Sequence, residues 1–186
     1  MLTLDIGCGV LPRGDVNCDL FTKSNIHRAG DCNPNIIPNL IKCPAEKLPF
    51  KDKIFDATYS KAMLEHVDNP LVVLREMGRV TRKRIILIVP HRYLRDNWSA
   101  FKYAQNSGHK TYFDLGNLTG LIRYAFPDNW FIVYTKKRRA FEHLPIDFPH
   151  ALYAEIRLDK KNGDTTVMPI GKQFIERLSG LDVIWE

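Results

Sequence analysis

Two short apolar runs, each ending in an aspartate, lie so close together that the chain between them has no room for a helix: "LTLDI" at residues 2–6 and "VNCDL" at residues 16–20. Aliphatic residues bounded by Gly, Asn and Asp read as buried strands, and Gly7, Gly9 and Gly14 stand in the connection. Glycine directly after a buried strand lets a ligand approach the backbone, and an acid at the tip of the next strand commonly holds a ribose. A dinucleotide asks for more. Its pyrophosphate rests on a helix N-terminus, about 20 residues before the acid. Only ten positions separate Gly9 from Asp19, so a nicotinamide enzyme is a poor fit.

Further strands are expected at residues 39–42, 55–59 and 84–90. The last, "RIILIVP", is a continuous β-branched run of the kind buried on both faces in a parallel sheet. Before it, "DNPLVVLREMGRVTR" offers Asp68 or Asn69 as a cap and Pro70 for the first turn. Leu71, Leu74, Met77 and Val80 then form an apolar stripe at helical spacing. Strand, helix and strand in this order predict a right-handed parallel crossover. Residues 20–38 and 44–54 are too short and too polar for full crossover helices. Residues 91–114 read as a long functional loop, followed by a helix at 115–126, strands at 130–137 and 151–158, and a short helix near 172–178.

A chain of 186 residues with 45% hydrophobic content suits one domain with a substantial core. We expect a cofactor-binding half at 1–90 and an acceptor-side half at 91–186. The net charge of +6 favours acidic partners, nucleic acid among them. Cys8, Cys18, Cys32 and Cys43 form no CxxC pair and no metal-ligand spacing with the histidines, so no metal is expected and a reducing, cytoplasmic setting is. No apolar run approaches the length needed to span a bilayer.

"LDIGCG", "VNCDL" and "CPAEKLPFKDKIFDATYSKAMLEHVDNPLVVLREMGRV", in this order, resemble the class I S-adenosylmethionine-dependent methyltransferases of the type 11 kind, with the first crossover shortened. The resemblance covers residues 2–91. It implies a Rossmann-like α/β sheet, mostly parallel with an antiparallel C-terminal strand, lacking some crossover helices. It also implies S-adenosylmethionine as cofactor, which carries no phosphate and so tolerates the missing helix. In that family Gly7, Cys8 and Gly9 would lie along the methionine end of the cofactor, and Asp5 would hold its amino group. Asp19 would accept bonds from both ribose hydroxyls, with Leu20 against the adenine. Relatives often read Asp-Ala-Glu where this chain has Pro44, Ala45 and Glu46; proline offers no side-chain acceptor, leaving the Ala45 amide for a ring nitrogen. Ser60 and Lys61 would lie near the methionine moiety.

The acceptor side is expected from residues 91–114. Methyl transfer needs positioning and desolvation, and a base only where the acceptor must lose a proton. Candidates are His91, immediately after the fifth strand, then Tyr93 and His109, and also His66, which with Glu65 could instead simply begin the next helix. "KKRR", residues 136–139, would lie on the cofactor edge of the sheet, either as a solvated edge or as a footing for a phosphate-bearing acceptor such as RNA. The acceptor is thus a small molecule or RNA. The start at Met1, without a covering helix, leads us to expect an open cleft, a partner subunit or a homo-oligomer. The alternative function is a non-catalytic cofactor- or RNA-binding protein on a degenerate methyltransferase fold.

Overall fold

The computed structural model describes residues 1–23, 33, 35–92, 108–141, 144–161 and 166–168, with backbone alone for 137–141, 144–149 and 166–168. The expected helix near 172–178, Tyr93 and Cys32 lie outside the described residues.

Eight strands form one sheet: β1 Thr3–Ile6, β2 Val16–Asp19, β3 Leu40–Lys42, β4 Phe55–Lys61, β5 Thr81–Pro90, β6 Asn129–Phe141, β7 Leu144–Lys161 and β8 Thr166–Met168. Their order is β3-β2-β1-β4-β5-β7-β6-β8. The first five are mutually parallel, whereas β7 is antiparallel to both β5 and β6 and lies between them. Strand β6 therefore points the same way as β5. Pro90 and Lys136 both register with Ala151, which sets the start of the basic run level with the carboxyl end of β5. The run lies inside β6, a longer strand than expected, and β8 was not expected at all.

Helix α1, Pro70–Val80, is the crossover between β4 and β5. Asn69 accepts from the Val72 N–H (3.3 Å), Pro70 occupies the first turn, and Val73, Leu74, Met77, Gly78 and Val80 are buried against the sheet. Helix α2, Leu115–Ala125, starts with a reciprocal capping box between Asp114 and Asn117. The two helices pack on one face of the sheet, where Ile85, Leu87 and Val89 of β5 join their core. Ile86 and Ile88 join a second cluster with Ile132, Tyr134 and Tyr153 on the opposite face. Strand β5 is thus buried on both sides, as its unbroken apolar run requires.

Among the described residues no helix joins β1 to β2, β2 to β3 or β3 to β4. The first of these returns is made possible by the brevity of β1. Four residues span roughly 13 Å at about 3.3 Å each, a distance that the nine residues 7–15 can retrace in extended form. The return is fastened directly to β1. The Arg13 N–H donates to Asp5 Oδ2 (2.9 Å), while Asp15 Oδ2 accepts from the Thr3 N–H (2.8 Å) and Thr3 Oγ1 (2.7 Å). Gly14 sits so close that a Cβ there would stand 2.6 Å from the Asp5 nitrogen and 2.4 Å from the Val16 oxygen. Buried Asn17 completes the fastening by accepting from the Gly14 N–H and donating to the Gly14 and Pro38 carbonyls.

Candidate methyl-donor cleft

The connections leaving the carboxyl ends of β1, β2, β3 and β4 surround a cleft of about 620 Å³. In open α/β sheets ligands gather at this edge, and the volume suits a nucleoside-sized molecule. The loop after β1 forms one wall. Gly7 and Gly9 adopt positive φ (71° and 58°), and the Gly7 and Cys8 amides both donate to the Cys18 carbonyl (2.8 and 3.1 Å). A Cβ on Gly7 would lie 2.4 Å from Met63 Cγ, so this glycine makes room for a neighbouring side chain that itself lines the cleft.

Asp19 sits at the tip of β2. One carboxylate oxygen accepts from the Gly9 N–H (3.0 Å) and the other from the Phe21 N–H (2.9 Å). These bonds fix the carboxylate in the cleft wall, and its two oxygens have about four lone-pair sites in all. Gly7, Cys8, Gly9, Asp19, Leu20, Ala45, Glu46 and His66, all singled out from the sequence, line the cleft.

Asp5, Ser60 and His91 are not brought to its wall. Asp5 is 1% exposed and turned onto the Arg13 amide; burial pushes its carboxyl up to about 7. Ser60 is buried, with its Oγ lacking a hydrogen-bond partner. Its neighbour Lys61, on the opposite face of the strand, does line the cleft, and its ammonium is held below the usual range by burial, then by Arg13 and Lys136. The His91 N–H donates to the His150 carbonyl (3.0 Å), and the residue bridges to Phe113.

Arg13, Met63 and Lys110 are among the contributors to the wall that the sequence reading missed. Arg13 also reaches over the Tyr59 ring, 5.3 Å from its centroid. Its signal was present: a cation in a loop that two strand-tip acids already marked. Lys110 has no comparable signal, because it arrives from far along the chain. Its N–H and that of Thr111 donate to the Glu65 carbonyl (2.8 and 3.1 Å), and its Nζ pairs with Asp68 (2.7 Å).

Beside the cleft, Leu64–His66 form a single 3-10 turn. Glu65 is 1% exposed, neither carboxyl oxygen has a hydrogen-bond partner, and burial pushes its pKa up to about 8. The His66 ring, which faces the cleft, meets the His109 ring edge-on at 4.8 Å between centroids. Cys18 of β2 and Cys43, one residue beyond β3, also line the cleft. Interaction between the two thiols raises the Cys18 pKa and lowers that of Cys43.

Residues 4–89, a little under half of the chain, match the family model described as a methyltransferase domain. No curated protein sequence matches the chain. Its fold is similar to that of a SAM-dependent methyltransferase from Thermotoga maritima, with 19% identity and a TM-score of 0.59 over 84% of this chain and 81% of that one. It is also similar to the plantazolicin methyltransferase BpumL, solved with a triazolic desmethylPZN analogue and SAH (20% identity, TM-score 0.59, 87% of this chain, 76% of that one). A third similar structure is a methyltransferase in complex with the Haloferax volcanii Trm112 methyltransferase activator (12% identity, TM-score 0.55, 87% of this chain and 83% of that one). The ordered motifs, the matched methyltransferase domain at residues 4–89 and the antiparallel strand set between β5 and β6 agree with one another: the chain carries the fold seen in SAM-dependent methyltransferases.

Proposed function

We propose that the cleft binds S-adenosylmethionine and that the protein transfers its methyl group to an acceptor presented from residues 91–186, the two halves acting as one domain. The observation that carries the binding reading is Asp19, a carboxylate fixed by the Gly9 and Phe21 amides in the wall of a nucleoside-sized cleft. A carboxylate at this strand tip suits the two ribose hydroxyls. Leu20 and Ala45 offer the adenine an apolar wall and a backbone amide, with Glu46 beside them. Gly7, Cys8 and Gly9 border the methionine end, where Arg13 and Lys61 supply cations for its carboxylate. When bound, the cofactor supplies a methyl group on a positive sulfonium, an electrophile whose leaving group needs no protonation.

The chain's own residues then have to position the acceptor and exclude water. Among the described residues His66 is the histidine that lines the cleft, which supports it over His91 as a base for acceptors that must lose a proton. Asp5 acts through the loop it fastens. The free, buried cysteines Cys18 and Cys43 support a reducing, cytoplasmic setting. Among the described residues no helix is long and apolar enough to cross a membrane. The acceptor is a small molecule or RNA; the basic run entering at Lys136 on the cleft edge supports the second. A partner subunit or second copy over the open cleft fits a fold whose relative is held by an activator.

Calorimetry with S-adenosylhomocysteine tests the donor site. Binding in the micromolar range, weakened at least ten-fold by Asp19→Ala, is expected; no heat at millimolar ligand, or an unchanged affinity in the variant, overturns the reading.

A further inference from the structure

We propose that Glu65, His66 and His109 form a binding site for one divalent transition-metal ion of the zinc class, set beside the donor cleft, which His66 lines. Its place beside the donor rests on the function proposed above; the site itself does not. The three side chains come together because the segment carrying His109 is pinned to the 3-10 turn: the Lys110 and Thr111 amides both donate to the Glu65 carbonyl. One ligand atom from each residue lies within 4.8 Å of the others. Nε2 of His66 stands 3.8 Å and Nε2 of His109 4.0 Å from Glu65 Oε1.

These separations are too long for hydrogen bonds and suit an intervening ion. Bonds of about 2.0–2.1 Å at tetrahedral angles place neighbouring ligand atoms roughly 3.3–3.5 Å apart, inside the 3.8 and 4.0 Å seen from the carboxylate and the 4.8 Å that bounds the set. Small side-chain rotations close that difference.

Two further observations point to a ligand. Glu65 is almost wholly buried, yet neither oxygen has a hydrogen-bond partner, an arrangement that costs free energy unless something else is bound there. His66 Nδ1 lies 3.4 Å from the Gly108 carbonyl. In the tautomer that satisfies this contact Nδ1 donates, and Nε2 keeps the lone pair a metal needs; ligating histidines are commonly oriented this way. Two histidines and one carboxylate form a catalytic zinc set that leaves a fourth position open. Because His66 faces the cleft, that position is available to a heteroatom of the acceptor, and the ion would lower its pKa and orient it. The acceptor class that follows is a thiol, hydroxyl or nitrogen donor able to bind such an ion.

The test uses the full chain. After exhaustive chelation, Zn²⁺ is titrated by calorimetry and Co²⁺ by visible absorption, with S-adenosylhomocysteine binding measured on the same samples. The expected result is one ion per chain, with tetrahedral-type cobalt bands, and at least a hundred-fold weaker metal binding in Glu65→Gln and His109→Ala. Each variant is checked for fold by its thermal transition, and His109→Asn serves where His109→Ala does not fold. Wild-type protein that takes up no ion while still binding S-adenosylhomocysteine overturns this inference alone. So does metal binding unchanged in both variants, which marks an adventitious ion elsewhere. Protein that binds zinc but not S-adenosylhomocysteine leaves the metal site standing and removes the donor reading instead.

Discussion

Asp5 gives the sharpest quantitative test of how the shortened first crossover is held. Its carboxyl is buried beneath the loop that it fastens, and burial raises its pKa from an ordinary 3.8 to about 7. An acid whose folded-state pKa exceeds its unfolded value makes a contribution that is fully present below about pH 4. That contribution is lost steadily as the pH rises through 7, because the folded chain must then ionise a group kept from water. A tenfold change in the acid's ionisation constant corresponds to about 1.4 kcal/mol, so the full loss approaches ~4 kcal/mol, of which roughly 3 falls between pH 5 and pH 8. Asp5→Asn keeps the shape and an oxygen to accept the Arg13 N–H but removes the charge. Urea unfolding of both proteins at pH 5, 6, 7 and 8 should show the variant gaining on the wild type at each step. Taking the difference between them cancels the slope contributed by other groups, Glu65 included. A gap that stays constant within about 0.5 kcal/mol over this range would refute the claim that the loop is anchored on a buried, largely neutral acid.

Two further outcomes follow from the glycines of the same loop. In Gly14→Ala the new Cβ meets backbone atoms of β1 and β2 at 2.6 and 2.4 Å, neither of which can move without breaking the sheet; we expect a loss of about 3 kcal/mol or more in urea unfolding, and a wild-type midpoint would show that the return does not run over β1 as described. Gly7→Ala combines a positive φ of 71° with a clash against the side chain of Met63, so removing the obstacle in Gly7→Ala/Met63→Ala should recover a measurable part of the lost stability; a double variant whose loss is the plain sum of the two single ones would put the requirement for glycine in the backbone alone.

The sheet was legible in the sequence wherever burial leaves a local mark. The unbroken "RIILIVP" foretold a strand covered on both faces, and the Pro70 start with its periodic apolar residues foretold the only crossover helix between the parallel strands among the described residues. Strand ends were less legible. Strand β5 begins at Thr81, directly from α1, because Thr81 can serve both as helix C-cap and as first strand residue, where "TRKR" alone carries no apolar signal. The extension of β6 and β7 into a long hairpin was equally hidden, since pairing with a partner strand can hold a polar basic run extended when its composition would not.

The candidate site divides along a physical line, between what one strand tip determines and what two distant segments determine together. Gly9 and Asp19 could be placed because a glycine after one strand and an acid ending the next have few geometries in which to meet. Asp5 and Ser60 bear the same kind of signal, yet successive side chains of a strand point to opposite faces, and a one-residue difference turns Ser60 inward while its neighbour Lys61 reaches the cleft. Glu65 is the extreme case. On sequence it is a charged residue at the start of a helical turn, where solvent is the ordinary surrounding. It is buried because Lys110 and Thr111, more than forty positions later, donate to its carbonyl and bring His109 across it. A carboxylic acid enclosed in this manner, next to two imidazoles and without a hydrogen-bond partner, is a conflict between local sequence and tertiary packing. Such conflicts persist where a ligand or a reaction makes use of them, and this one adjoins His66, which lines the cleft.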